Sequence, residues 1–136
     1  MPKILVADPI GEEGVALLET LAEVDVKTGM KSPELLAVIG DYDGLVVRSE
    51  TKVTKEVIDT AKKLKVVGRA GIGVDNIDLD AATGAGIAVV NAPTGNTVAA
   101  AEHTMALMLA LSRNVPMAHQ SLKSGEWKRS AFMGVE

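Results

Sequence analysis

The sequence predicts an α/β fold built on a doubly wound parallel sheet, and three observations carry that prediction. Short apolar runs alternate with amphipathic stretches along the first ninety residues. The runs are continuously apolar, not alternating, as strands covered on both faces are. Hydrophobic residues make up 47% of the chain and aromatics only 2%, so the core must be built from Val, Ile, Leu, Ala and Met. The 136 residues suit one domain with a sizeable core.

The elements follow in order. Lys3-Ile4-Leu5-Val6-Ala7 reads as a buried strand ending at Asp8. Gly11 to Leu21 reads as a helix, because Val15, Leu17, Leu18 and Leu21 recur at helical spacing. Val24 to Lys27 is a short, edge-like strand. Ser32 is a candidate N-cap with Pro33 in the first helical position, and Gly40 stops that helix. Gly44 to Val47 forms a third strand ending at Arg48. Thr54 can cap a helix in which Val57, Ile58, Ala61 and Leu64 share a face. Lys65 to Gly68 forms a fourth strand ending at Arg69. A helical turn begins near Asp78, and Ile87 to Val90 forms a fifth strand ending at Asn91. Five such strands are most simply arranged in the flavodoxin-like order.

A long helix runs from about Asn96 to Arg113, followed by a break or a new helix at Pro116 that Gly125 ends. Between Val98 and Leu111 only Glu102, His103 and Thr104 are clearly polar. A helix apolar nearly all round should bury more than one face, between domains or between subunits. The expected division is therefore a sheet core over residues 1–96 and a long helix with its tail over residues 97–136.

Composition excludes several classes. A net charge of −4 with scattered Lys and Arg, and few aromatic platforms, argues against nucleic acid. With no cysteine there is no disulfide framework and no thiolate metal site. Glu102-His103 lacks the second histidine of a zinc-protease helix, so no metal site is expected. The amino terminus lacks a signal-peptide apolar core and no run is long enough to span a bilayer, which makes the cytoplasm the default location.

In an open parallel sheet, ligands bind beyond the carboxyl ends of the strands. Asp8, Arg48-Ser49, Arg69-Ala70-Gly71-Ile72-Gly73 and the Asn91–Asn96 loop share that rim. Arg suits a two-pronged grip on carboxylate or phosphate, and glycines expose backbone amides. The rim therefore points to a small phosphorylated or carboxylated ligand. Each arginine could instead pair with a nearby acid, Glu50 or Asp75, and the glycines could merely shape turns. Asp8 reads as the cap of the turn that follows it. Gly71-Ile72-Gly73 is not a dinucleotide fingerprint: the third glycine would fall at Asn76, and no suitable helix starts there. A phosphoacceptor receiver is excluded because Arg48 ends the third strand and Asn91-Ala92-Pro93 follows the fifth. A flavin-phosphate loop is excluded by Glu12 and Glu13 after the first strand.

The same strand ends carry a resemblance. Gly44-Leu45-Val46-Val47-Arg48-Ser49, Val66-Val67-Gly68-Arg69-Ala70-Gly71-Ile72-Gly73-Val74-Asp75-Asn76-Ile77-Asp78 and Asn91-Ala92-Pro93-Thr94-Gly95-Asn96 resemble the D-isomer-specific 2-hydroxyacid dehydrogenases, most closely their phosphoglycerate-oxidising branch. Gly125-Glu126-Trp127-Lys128-Arg129 and Phe132-Met133-Gly134 match as well. The resemblance implies an NAD-dependent oxidation of 3-phosphoglycerate, in L-serine synthesis, by the parent enzyme. It implies that Arg48 and Ser49 bind substrate and that Arg69 neutralises its charge. The amides around Gly71 and Gly73 would face its carboxylate, and Asn96 would add a polar contact. Ile72 would lie near the nicotinamide, and Arg129 would reach a neighbouring subunit's site, since the segment after the long helix forms the family's dimer contact. The family continues into a Gly-x-Gly-x-x-Gly domain that supplies NAD binding and the catalytic Arg, Glu and His. The implied role of these 136 residues is thus the substrate half of the enzyme, with no catalytic residue of its own and no turnover alone. The alternative is a non-catalytic module that binds small anions or self-associates.

Overall fold

The computed structural model describes residues 1–136. The chain divides into two compact units, Met1–Gly95 and Asn96–Glu136.

The first unit alternates strand and helix. β1 (Lys3–Val6), β2 (Glu23–Val26), β3 (Gly44–Val47), β4 (Val66–Arg69) and β5 (Ala88–Asn91) form one parallel sheet in the order β2-β1-β3-β4-β5. That is the flavodoxin-like order, with its switch point between β1 and β3. The helices are α1 (Glu12–Glu19), α2 (Ser32–Val38), α3 (Lys55–Thr60) and α4 (Leu79–Gly84).

Register sets the rim. Val6 lies opposite Val46, Val47 opposite Arg69, and Arg69 opposite Asn91. The three central strands therefore end almost level, with Asp8 and Arg48 leaving adjacent strands together. One sheet face carries Leu5, Leu45, Val67 and Val89 in register, with Ala7, Val47 and Ile87. Leu35, Ile39, Val57, Ile58, Ala61, Leu64 and Ala82 pack with them in a single core. Burying side chains of this size stabilises by roughly 1.5–3 kcal/mol each, and this core holds the strand ends still.

The other face departs from the expectation of a sheet covered on both sides. Val6 is fully buried there and α1 packs along β2, but towards β5 the cover stops: Gly68 is half-buried, Ala88 exposed and Val90 54% exposed. A continuous apolar run therefore does not by itself mean cover on both faces of the strand.

Three local boundaries also differ. Ser32 is the first helical residue of α2, and the N-cap position belongs to Lys31, whose amide donates to Glu34 Oε2 at 2.7 Å. Glutamate reaching back from the third helical position does what a serine hydroxyl was expected to do. α3 stops at Thr60, so Ala61 and Leu64 are buried from the turn that follows and not from the helix. α1 is shorter at both ends than the Gly11–Leu21 span, and Leu21 is 69% exposed. Asp78 caps α4 as expected, accepting from the Ala81 amide at 2.9 Å.

In the second unit, α5 (Thr97–Ser112) joins α6 (Val115–Lys123) through Asn114, whose φ of 53° is the left-handed conformation that asparagine tolerates. Pro116 sits in the first turn of α6, where its missing N–H costs nothing. The tail folds back on this junction: Asn114 Nδ2 donates to Met133 O at 2.8 Å, and the Val135 amide donates to Ser112 O at 2.9 Å. α5 buries none of its residues. No helix of the chain is long and apolar enough to cross a membrane.

Candidate anion site at the carboxyl ends of the strands

The rim of the first unit is organised by two buried polar side chains. Asp8, just past β1, is 1% exposed, and Asn76, between β4 and α4, is 5% exposed. Neither caps its own turn. Asp8 accepts from the Arg48 amide at 2.6 Å, from the Thr51 amide at 3.1 Å and from the Thr51 hydroxyl. The expectation that Asp8 serves the turn after it is thus corrected: its partners lie forty residues on, in the turn after β3. Strand register explains the choice, because it delivers Asp8 beside Arg48 with three donors already converging.

Burial is the largest single influence on Asp8 and pushes its carboxyl up. The Thr51 hydroxyl and the amides of Arg48, Thr51 and Glu50 together outweigh it and hold the group below its usual value of 3.8. The carboxylate is therefore charged near neutrality, and it is fully occupied by the turn.

Asn76 stands where the spacing shows only a missing third glycine. Its Nδ2 donates to Arg48 O and to Thr51 O, both at 2.7 Å, and its Oδ1 accepts from Arg69 Nε at 3.0 Å. Thr51 and Asn76 were not legible as site residues. The signals for Asn76 are an amide side chain set close to the apolar Val74 and Ile77, and its place in the Val66–Asp78 run that carries the family resemblance, which assigns it no role.

The two arginines differ. Arg48 is exposed, and its guanidinium makes one long contact, 3.4 Å to Pro9 O, with no ion pair. The side chain of Arg69 is only 12% exposed and stands 3.7 Å from Asp75 Oδ1. So the bland pairing with a neighbouring acid holds for Arg69, at a long distance and with an exposed partner, and not for Arg48. Ser49 is exposed beside Arg48.

The glycine loop lies over Arg69. A Cβ on Gly71 would come within 2.7 Å of its Nη1, and one on Gly73 would meet Asp75 Oδ1 at 2.8 Å and Arg69 Nη1 at 3.6 Å. The Gly71 amide is turned inward and donates to Arg69 O at 2.8 Å, so it is not one of the amides open to a ligand. The amides of Ile72 and Gly73 make no hydrogen bond within the chain. Their carbonyl side is pinned from β5, by Asn91 Nδ2 on Ile72 O at 2.6 Å and by the Ala92 amide on Gly71 O at 3.0 Å. Ile72 is 39% exposed. The first unit thus brings Arg48, Ser49, Arg69 and the Ile72 and Gly73 amides to one rim. Guanidiniums, a hydroxyl and open backbone amides are groups that can hold an anion.

The remaining two site residues belong to the second unit. Asn96 occupies the N-cap position of α5 without a side-chain capping bond. Arg129 opens a 3₁₀ turn (Arg129–Phe132) and lines a cavity of about 440 Å³ with Arg113, His119, Leu122, Trp127 and Phe132. No group of three or more acidic or histidine side chains could hold a metal ion. Nor do these residues fit a dinucleotide. Past the glycine loop comes α4, only six residues long, with the Asp78 carboxylate on its N-terminus where a pyrophosphate would have to sit.

Comparison with known proteins agrees along the whole chain. The model of the D-isomer-specific 2-hydroxyacid dehydrogenase catalytic domain matches residues 4–130. The chain is 58% identical over 136 residues to a D-3-phosphoglycerate dehydrogenase of Methanocaldococcus jannaschii, and 56% identical over 135 residues to that of Archaeoglobus fulgidus. It covers 100% and 98% of its own length in these matches but only 26% of each relative. Among solved structures, NAD+-bound 3-phosphoglycerate dehydrogenase of Entamoeba histolytica matches 82% of this chain and 39% of its own, at a TM-score of 0.72 and 33% identity. The TT0316 protein of Thermus thermophilus matches 98% of this chain and 45% of its own, at a TM-score of 0.84 and 34% identity. The chain therefore spans about a quarter of the length of its curated relatives, and it belongs to the D-isomer-specific 2-hydroxyacid dehydrogenase family.

Proposed function

We propose that this chain supplies the substrate-holding portion of an NAD-dependent D-3-phosphoglycerate dehydrogenase, which oxidises 3-phosphoglycerate to 3-phosphohydroxypyruvate. The observation that carries this reading is the convergence of Arg48, Ser49, Arg69 and the Ile72 and Gly73 amides at one rim, in a chain with close phosphoglycerate dehydrogenase relatives. A doubly anionic substrate suits two arginines. Arg69, sheltered and anchored, takes the carboxylate with the two loop amides, while Arg48 and Ser49 take a second polar group. Gly71 shapes the loop, Ile72 offers the nicotinamide an apolar edge, and Arg129 reaches the site of a neighbouring subunit.

NAD is held by residues other than these, and the oxidation needs a general base that the rim does not offer. The first unit contains no histidine: the two in the chain are His103 and His119. The side chains that the rim offers a ligand are two guanidiniums and a serine hydroxyl, none of them a group that readily takes up a proton as a general base. Turnover by these residues alone is therefore not expected. A titration of the ¹⁵N-labelled chain with 3-phosphoglycerate should shift Arg48, Ser49, Ile72 and Gly73 in a saturable way, weakly, because only part of the site is present. Equal response to D-lactate, or none at these residues, overturns the substrate assignment. NADH formation by the pure chain with 3-phosphoglycerate overturns the division of labour.

We further propose that α5 forms a contact with a second copy. Val98, Met105, Leu107, Met108, Leu109 and Leu111 are each at least half exposed, as are Val115, Met117 and Leu122 of α6. Their exposed area is on the order of 1,000 Å², above the roughly 800 Å² per partner of a standard interface. Sedimentation should find a dimer that Leu107→Glu or Leu111→Glu dissociates. A monomer at high micromolar concentration would count against it.

A further inference from the structure

We infer that Asn76 is a positioning residue that sets the Arg69 guanidinium and the Arg48–Thr51 turn as one preorganised anion receptor. The inference deepens the substrate-holding reading and rests on it for the identity of the anion.

Asn76 is 5% exposed and uses each hydrogen-bonding group it has: two amide protons on two carbonyls and the amide oxygen on Arg69 Nε. Only one orientation of the side chain satisfies all three. Turned over, it would set its NH2 against the Arg69 N–H and its oxygen against two carbonyls. The side chain is thus a fixed clip between two strand ends. On one side it fixes the plane of the Arg69 guanidinium through Nε, leaving Nη1 beneath the glycine loop for a ligand and Nη2 in only a long, 3.7 Å pairing with the exposed Asp75 carboxylate. On the other it holds the carbonyls of Arg48 and Thr51, while Asp8 holds the amides of those same two residues. The turn that carries Arg48 and Ser49 is gripped from both sides of its backbone.

A purely structural role for the side chain is poorly motivated. The backbone of Asn76 is already tied down without it: the Val53 amide donates to Asn76 O at 2.8 Å, and the Asp78 amide donates to Val53 O at 2.9 Å, closing a small parallel bridge between Val53 and Ile77. That bridge fixes the path of the segment. What the side chain adds is the orientation of Arg69 and of the Arg48 turn. An arginine that is already immobilised loses less freedom when an anion arrives, so preorganisation reads out as affinity.

The experiment uses the full ¹⁵N-labelled chain and needs no variant for its first arm. In the wild type, the Arg69 Nε–H should give a resolved signal protected from water exchange, whereas that of exposed Arg48 should exchange freely. An Arg69 Nε–H that exchanges as fast as that of Arg48 overturns the proposal. Asn76→Ala should release that protection and weaken 3-phosphoglycerate binding about ten-fold. Asn76→Asp keeps an acceptor for Nε but cannot donate to the two carbonyls. It should keep the Arg69 signal protected while the amides of Ser49 and Glu50 become mobile. If Asn76→Ala only lowers the melting temperature, with protection and affinity unchanged, the role is structural and the proposal fails. A wild-type chain that ignores 3-phosphoglycerate yet protects the Arg69 Nε–H in an Asn76-dependent way would overturn the substrate reading and support the positioning role.

Discussion

Asp8→Ala should destabilise the first unit by about 3 kcal/mol, the larger stability effect of any change at the rim. The carboxylate is buried and is the acceptor for two backbone amides and one hydroxyl. Removing it leaves those donors without partners in a place that water reaches poorly, and unsatisfied buried donors cost more than the bonds are worth in balance. Asp8→Asn keeps the volume but turns an NH2 towards the donors, so it should recover little. Urea unfolding of the three chains measures the difference. A loss under about 1 kcal/mol for Asp8→Ala would mean that the turn after β3 holds itself.

The same carboxylate gives a direction in pH. Its folded value lies below the ordinary 3.8. A depressed folded value means that the contribution is fully present above the unfolded value and is lost as the pH falls through the folded one. Stability should therefore be flat in this contribution through neutrality and fall away below about pH 4. Asp8→Ala should flatten that acid limb as well as lower the plateau. Asp25 and Asp43 are also held low, by Tyr42 with Lys3 and by the Lys3 amide with Lys65, but their side chains are 30% and 27% exposed against a fully buried Asp8, so solvent screens them more and their step is smaller.

What could be read from the sequence, and what could not, divides along the range of the interaction. The alternation of apolar runs and helical periods is local, and it led to the parallel sheet and its order. The residues that end each run, Arg48, Arg69 and Asn91, are equally local, and the rule for open parallel sheets put them on one rim. Asp8 with Thr51, and Asn76 with Arg48, are partners 43 and 28 residues apart. Neither shows a spacing signal, because the strands and not the sequence interval bring them together. Asn76 was hidden for a further reason: set against a glycine fingerprint it reads only as a mismatch. The uniform apolarity of α5 and the bare Val90 end of the sheet are the converse case. Composition alone predicts these surfaces to be buried, and the chain leaves them exposed.

Arg69→Met should abolish saturable 3-phosphoglycerate binding, with an affinity loss of at least about ten-fold, while Arg48→Met should weaken it only a few-fold. Both side chains carry one positive charge, so charge alone predicts equal losses. Geometry separates them. Arg69 is 12% exposed, anchored through Nε and lies beneath the two free loop amides, so its hydrogen bonds to an anion are charge-assisted and little screened. Arg48 is exposed and unanchored, and it must give up its side-chain freedom to bind. Raising the salt concentration should accordingly erase the contribution of Arg48 first. Gly71→Ala tests the same geometry without removing the charge. Its Cβ would meet Arg69 Nη1 at 2.7 Å, and a flexible guanidinium yields more readily than the backbone does. The variant should therefore fold with a stability change under about 1 kcal/mol, yet lose binding nearly as completely as Arg69→Met, whereas Gly84→Ala, which meets nothing within 4 Å, should bind as the wild type does. If Gly71→Ala binds normally, the position of Arg69 beneath the loop is not what the anion requires.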